Sequence, residues 1–307
     1  ADKEQLVIGT GENVINIYYT KKNDLSYKVN YLEKESNKVI STQKVVNNQV
    51  FGTEISTADE VITINGYKYD SADKDQLIIG TGENVINIYY TKRNNLTYKV
   101  NYLEKDTNTI LHEQKVVRNV VFDSNIRAED EVIDITGYDY DSADKEVMKI
   151  TTGENVINLY YTKRTDLNYK VNYLEKETNR ILKNQKTVNN VTFGEVVTAR
   201  EEVIEIDGFK FDSTDKETLT IGTEENVINV YYTKRNDLSY KVNYFEKGTD
   251  RVLHEQKVVN NVTFEDVVIS ASEVIEIDGF NYDSVDKERL TITTGENVIN
   301  IYYTKKK

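Results

Sequence analysis

Val85-Ile86-Asn87-Ile88-Tyr89-Tyr90-Thr91-Lys92 is the stretch on which the fold turns. Its positions recur at 14–21, 156–163, 227–234 and 298–305, always 71 residues apart. β-Branched and aromatic residues dominate the run, which favours a strand. A strict period makes the fold a question about one unit. Outward from this stretch, Tyr27-Lys28-Val29-Asn30-Tyr31 returns from Tyr98, Tyr169 and Tyr240, and Gly66, Gly137, Gly208 and Gly279 hold the same register. No insertion or deletion breaks it. The chain therefore reads as full units at 23–93, 94–164, 165–235 and 236–307. Residues 1–22 match the closing segment of a preceding unit, as in a slice of a longer array. A 71-residue period exceeds the roughly 20–45 residues of solenoid repeats, which cannot bury a core alone. It matches a small self-contained domain, which buries about 60% of its unfolded surface and is only modestly stable.

The 307 residues are 38% apolar and 30% charged, with 52 Asp and Glu against 39 Lys and Arg. The net charge of −13 argues against a nucleic-acid partner, because such affinity rests on Lys and Arg neutralising phosphates. Cys is absent, which removes disulfides, thiol chemistry and Cys-ligated zinc together and leaves the redox compartment open. The longest apolar run is three residues, as in Leu77-Ile78-Ile79. A membrane-spanning helix needs about 20, so no membrane insertion is expected. Ala1-Asp2-Lys3-Glu4 opens no apolar stretch and is not read as a leader.

Within the first unit, Leu25, Tyr27, Val29 and Tyr31 alternate with Ser26, Lys28 and Asn30, the period-two pattern of a half-buried strand. Ser36-Asn37 marks a turn, since Asn tolerates a left-handed backbone; the fourth unit offers Gly248 in this turn. Val39-Ile40 and Val45-Val46 continue as a second strand, making a hairpin, with another turn at Asn47-Asn48. Phe51 to Ile64 reads either as a short helix capped near Ser56-Thr57 or as a strand through Val61-Ile62 and Ile64. Tyr67 and Tyr69 begin a further strand after Gly66, Asp70-Ser71-Ala72-Asp73 reads as loop, and Gly80-Thr81-Gly82 as a hairpin turn before the closing strand. The expectation is four or five strands and at most one short helix. Thr91 to Thr97 holds neither Gly nor Pro, so the joint between units should be short and stiff. An eight-residue strand spans ~27 Å, so units laid lengthwise would form a rod on the order of 100 Å or more.

Tyr27-Lys28-Val29-Asn30-Tyr31, the Ile-Asn-Gly-Tyr ending at Tyr67 and the closing Val-Ile-Asn-Ile-Tyr-Tyr-Thr-Lys together resemble MucBP repeats, the mucin-binding-protein-type tandem domains of Gram-positive bacterial surface proteins. The resemblance covers every full unit and residues 1–22. It implies a mostly β (α+β) chain of small β-grasp, ubiquitin-like domains set end to end. It also implies the stalk of an extracellular, cell-wall-attached adhesin, with host mucin or glycans as partners. The leader and sorting signal that such a protein carries are not read in this chain. Members usually have Pro in their loops, and this chain has none. A monomer is expected.

No catalytic, ligand-binding or metal-holding residue is assigned, and no cofactor is implied. His112 and His254 occupy a position that is Ser41 and Lys183 in the sibling units; a shared catalytic base would not change type, and His needs a positioned partner. No Ser sits in a Gly-x-Ser-x-Gly elbow, so the chain is read as non-enzymatic. Asp70 to Asp75, repeated as 141–146, 212–217 and 283–288, could offer oxygens to calcium. It lacks EF-hand spacing, contains a Lys in every copy, and is explained by turn hydrogen bonding. Gly80-Thr81-Gly82 lacks the Lys-Ser/Thr and following helix of a phosphate loop. Tyr67 and Tyr69 become Phe209, Phe280 and Phe211, which reads as core packing. Tyr27, Tyr31, Tyr89 and Tyr90 keep their hydroxyls, and exposed members could stack on sugars. Successive side chains point oppositely, so Tyr89 and Tyr90 cannot share one core. A Lys28–Asn87 isopeptide staple is weighed and disfavoured, because alternation puts both residues toward solvent.

Overall fold

A computed structural model describes residues 1–307. It divides into two compact units, Ala1–Ile135 with Tyr140–Thr162, and Thr136–Asp139 with Lys163–Lys307. The same strand pattern appears twice in each unit. In the first copy, β1 is Leu25–Glu33, β2 Val39–Gln49, β3 Glu54–Ser56, β4 Tyr67–Ala72, β5 Gln76–Ile78 and β6 Val85–Lys92, with a 3-10 turn at Thr57–Glu60 between β3 and β4. The main sheet runs β2-β1-β6-β4, while β3 and β5 pair separately. β1 is antiparallel to β2, and β4 to β6. The central pair, β1 and β6, is parallel, with register from Lys28↔Val85 to Glu33↔Tyr90.

Alternation along that central pair decides the packing. Tyr27, Val29 and Tyr31 from β1 and Ile86, Ile88 and Tyr90 from β6 turn inward and are buried, joined by Leu77 and Ile79. Each such aliphatic side chain contributes roughly 1.5–3 kcal/mol by leaving water. The opposite face of the same strands carries Lys28, Asn30, Asn87 and Tyr89, all half-exposed. Across that face, Gln43 donates to Asn30, Asn30 to Asn87, and Asn87 to Asp73, over 2.6, 2.8 and 3.1 Å. An amide ladder of this kind lets a one-sided sheet present a wet face without leaving its polar groups unpaired.

Two of the three tyrosines buried in the first copy, Tyr27 and Tyr90, find hydrogen-bond partners for their hydroxyls inside the fold. Tyr27 donates to Glu60 Oε1 at 2.8 Å, and Lys44 Nζ meets Glu60 Oε2 at 2.5 Å. Tyr90 donates to Ile62 O at 2.9 Å and accepts from Ile62 N at 3.0 Å. The pairs Tyr98–Glu131, Tyr169–Glu202 and Tyr240–Glu273 repeat the first arrangement at 2.8, 2.8 and 2.9 Å. Burial, reinforced by the neighbouring Glu60, pushes the Tyr27 phenol up to about 12; Tyr169 and Tyr240 behave alike.

Several local expectations need correction. There are six strands per copy rather than four or five, because the three-residue β3 and β5 form a ribbon of their own. Asn47-Asn48 is not a turn; it lies inside β2, with Asn48 at φ +59, where the register to β1 slips between Leu25 and Tyr27. This is a β-bulge, which absorbs extra residues without ending a strand. Asp70 to Ala72 belong to β4, not a loop. Gly80-Thr81-Gly82 joins no hairpin, since β5 pairs with β3 and β6 with β1 and β4. In the ambiguous stretch, Thr57–Glu60 form the short helical turn without a side-chain cap, and Val61 to Ile64 form no strand. Tyr69 is 49% exposed and packs edge-on against Tyr90, so it is not core.

The tyrosine–glutamate pairs predict an alkaline transition. A phenol raised from 10.0 to about 12 in the fold stabilises fully below pH 10 and loses that contribution as pH rises through about 12, on the order of 2–3 kcal/mol per copy. With no Trp to interfere, tyrosinate absorbance should rise in two stages. The second should coincide with loss of the β-sheet circular dichroism. Complete ionisation with the sheet intact would contradict the assignment.

Candidate functional site

The residues singled out from sequence do not assemble into a reactive centre. His112 and His254 are exposed on their strands, each edge-on to a buried tyrosine, Tyr102 and Tyr244, with ring centroids 5.4 Å apart. Their Nδ1 atoms sit beside the Glu113 and Glu255 carbonyls, and no acid faces them to form a proton-transfer pair. Asp70 accepts from Lys34 and Ser71, while Asp73 accepts from the backbone and side chain of Asn87. No three His, Asp or Glu side chains gather as a metal-holding group. Lys28 turns to Glu83 at 3.6 Å and Asn87 to Asp73 and Asn30, so these two residues are not brought together. Of the four tyrosines that retain hydroxyls, Tyr27, Tyr31 and Tyr90 are buried and only Tyr89 reaches the open face.

Asn84 explains the Gly80–Gly82 loop, and sequence reasoning passes over it. Its Oδ1 accepts from Gly80 N at 2.8 Å, and its Nδ2 donates to Gly80 O and to Ser26 O, both at 3.0 Å. The loop's polar groups are thus turned inward and tied to the opening strand, leaving no cradle for a phosphate. Asn155, Asn226 and Asn297 do the same. The available signal is an Asn recurring every 71 residues at the end of each loop, at 84, 155, 226 and 297.

What recurs in both units is a joint between consecutive copies. β6 ends at Lys92 and the next strand begins at Leu96, with three residues between them. Arg93 N donates to Gly66 O at 2.9 Å, and Phe122 N donates to Arg93 O at 2.7 Å. These bonds lay the Phe122 ring on Gly66. A Cβ at Gly66 would lie 2.3 Å from that ring, and Gly66 itself sits at φ +82, so both space and backbone require glycine. Tyr67 meets Phe122 edge-on at 5.6 Å. In the second unit, Phe264 covers Gly208 equally closely, beside Phe209, also at 5.6 Å. Tyr67, Phe209 and Phe280, read as core rings, are half-buried and pack against the core's edge, and Tyr67 and Phe209 also form the joint. Phe122 and Phe264 go unnoticed in the sequence reading; their signal is one aromatic recurring every 71 residues among polar turn residues.

Charge surrounds each joint. Lys92 Nζ lies 3.3 Å from Asp123 and 3.8 Å from Glu33. Lys149 and then Lys92 hold the Asp123 carboxyl below its ordinary value. Glu265 is held low mainly by Arg180. Beside the first joint is an open polar groove of about 660 Å³, lined by Glu33, Ser36, Lys68, Asp70 and Lys92 among others. The second unit has a counterpart of about 390 Å³ beside Glu175, Thr178 and Lys234. In the first groove Ser36 donates to Glu33, and in the second Thr178 donates to Glu175 at 2.5 Å. The same hydroxyls accept from the Lys38 and Arg180 backbone N–H at 3.2 Å, which is turn hydrogen bonding, and the grooves offer hydrogen bonds and charge.

No protein-family model and no curated protein matches the chain. Among solved structures, it is similar to Streptococcal High Identity Repeats in Tandem (SHIRT) domains 3-4 from a cell surface protein, at 12% identity and a TM-score of 0.21, covering 45% of this chain and 98% of that one. It is also similar to Mub-RV, at 13% identity and a TM-score of 0.17, covering 69% of this chain and 99% of that one. The resemblance to mucin-binding-protein-type repeats stands on the repeat's own residues; at these scores the matches add no strand-by-strand correspondence.

Substitution of the joint glycines separates packing from backbone strain. Gly279 has φ +78 but nothing within 4 Å of an added Cβ, so Gly279→Ala should cost only the left-handed penalty, roughly 1–2 kcal/mol. Gly66→Ala and Gly208→Ala should add about 2 kcal/mol each by unseating the phenylalanine ring. Equal losses for all three in chemical denaturation would show that the rings contribute nothing.

Proposed function

We propose that the chain is a non-enzymatic stalk segment of a bacterial surface adhesin. Its tandem copies would supply reach and several weak contacts at once. The observation that carries this reading is the joint: the same glycine–phenylalanine seat and three-residue connection occur in both units, so the chain invests in linking copies rather than in a pocket. The copies are proposed to be domains bounded at 23–93, 94–164, 165–235 and 236–307, after residues 1–22 of a preceding one. The order β2-β1-β6-β4 with its parallel centre supports a β-grasp assignment in which a 3-10 turn replaces the customary helix. Location outside the cell, attached to the wall of a Gram-positive bacterium, follows from the resemblance, as do host mucin or glycans as the surface contacted. A monomer is proposed.

A second reading makes each copy a dedicated mucin- or glycan-binding module. The recurring polar groove beside each joint favours it, as does Tyr89 on the open face with its amide ladder. Weak sites in series gain avidity only when several engage together.

Two measurements on the intact chain discriminate. A stalk predicts an elongated particle in small-angle scattering, and a compact one overturns it. On immobilised mucin, a pure spacer washes through, whereas binding modules are retained and released by soluble glycan.

A further inference from the structure

One left-handed position is filled by glycine in two copies and by an acid in the other two. The residue after the joint phenylalanine is Gly52, Asp123, Gly194 and Glu265 in successive copies. All four have a left-handed backbone, at φ +78, +69, +77 and +69. The fold demands that conformation, because in each copy this residue's N–H donates to an inner carbonyl: Ile79, Ile150, Ile221 or Ile292, over 2.8–2.9 Å. Glycine meets the demand freely, and does so twice. Asp and especially Glu do not, so the second and fourth copies retain a conformational penalty that a glycine codon would remove.

The two acids share what the glycines cannot have. Asp123 Oδ2 lies 3.3 Å from Lys92 Nζ of the preceding copy, while Oδ1 lies 2.6 Å from Lys149 of its own. Glu265 reaches only backward: Oε2 is 3.1 Å from Lys234, and Arg180 grips both oxygens at 3.2 and 2.9 Å. Arg180 also bonds Glu175 at 3.1 Å and lies over the Phe209 ring, 5.6 Å from its centroid. A bidentate guanidinium fixes direction as well as distance.

We propose that Asp123 and Glu265 are locking residues of the repeat joint: each holds a left-handed backbone so that its carboxylate clamps cations of the preceding copy and sets the angle between the two copies within its unit. The clamp is graded. Glu265, with two cations of the preceding copy and a two-pronged contact, locks more firmly than Asp123, with one.

The absence of Cys allows spin labels at two introduced cysteines in the full chain. Asn184→Cys with Glu255→Cys reports on the second unit, and Thr42→Cys with Glu113→Cys on the first; all four positions are exposed. Glu265→Gly should abolish the single narrow inter-label distance peak, and Asp123→Gly should broaden its peak less. Neither should lower the thermal midpoint, because glycine relieves the backbone. Lys234→Met with Arg180→Met, altering only the preceding copy, should broaden the peak as Glu265→Gly does. Unchanged widths in the glycine variants would overturn the proposal. So would a lowered midpoint in them, or broadening that the cation substitutions fail to reproduce, since either assigns the acids to their own copy's fold.

Discussion

The parallel pairing of opening and closing strands is the constraint on which each copy rests. Asn30 stands opposite Asn87, so the sheet's centre joins residues far apart in the chain, and everything between them is carried across one face and back. Residues 1–22 carry the same closing motif with no strand paired beside them. Tyr19 is 89% exposed, whereas its equivalent Tyr90 is 1% exposed, and no strand forms there. The local bonds survive, with Asp2 still meeting Asn16 and Gly9 still meeting Asn13. The turn bonds are thus common to both segments, while in β6 the adjoining hydrogen bonds and the inward face come from β1.

A core this rich in tyrosine creates a second requirement. A buried phenol without a partner loses its hydrogen bonds to water, and the copy answers with Glu60 and the Ile62 backbone. Glu60 is itself buried, and Lys44 on the neighbouring edge strand supplies its counter-charge. The 3-10 turn that carries Glu60 is thus fixed by tertiary bonds, which accounts for its shortness and for the absence of a cap. Polar satisfaction, more than helix propensity, places this element.

The joint extends the same economy from one copy to the next. A ring seated on glycine gives close approach, two backbone bonds set its direction, and peripheral charges decide how freely it can pivot. None of these resembles the convergent acid–base geometry of an active site, and the conserved register of the period concentrates them where copies meet.

The period, the opening and closing strands, the hairpin and the short joint are all legible in the residues, because each depends on alternation or spacing that neighbours in sequence reveal. Others were not. Asn47-Asn48 has turn chemistry yet forms a bulge, since β1 continues to pair across it. Tyr67 and Tyr69 look equivalent, but one meets Phe122 of the next copy and the other faces solvent beside Tyr90. The amino-acid order by itself determined how many copies there are and which strands open and close them. Only the tertiary structure decided that those strands lie side by side in parallel, and that a glycine in one copy is shaped for a ring in another. Such contacts join residues with no local relation, and their free energy appears only once the chain has closed upon itself.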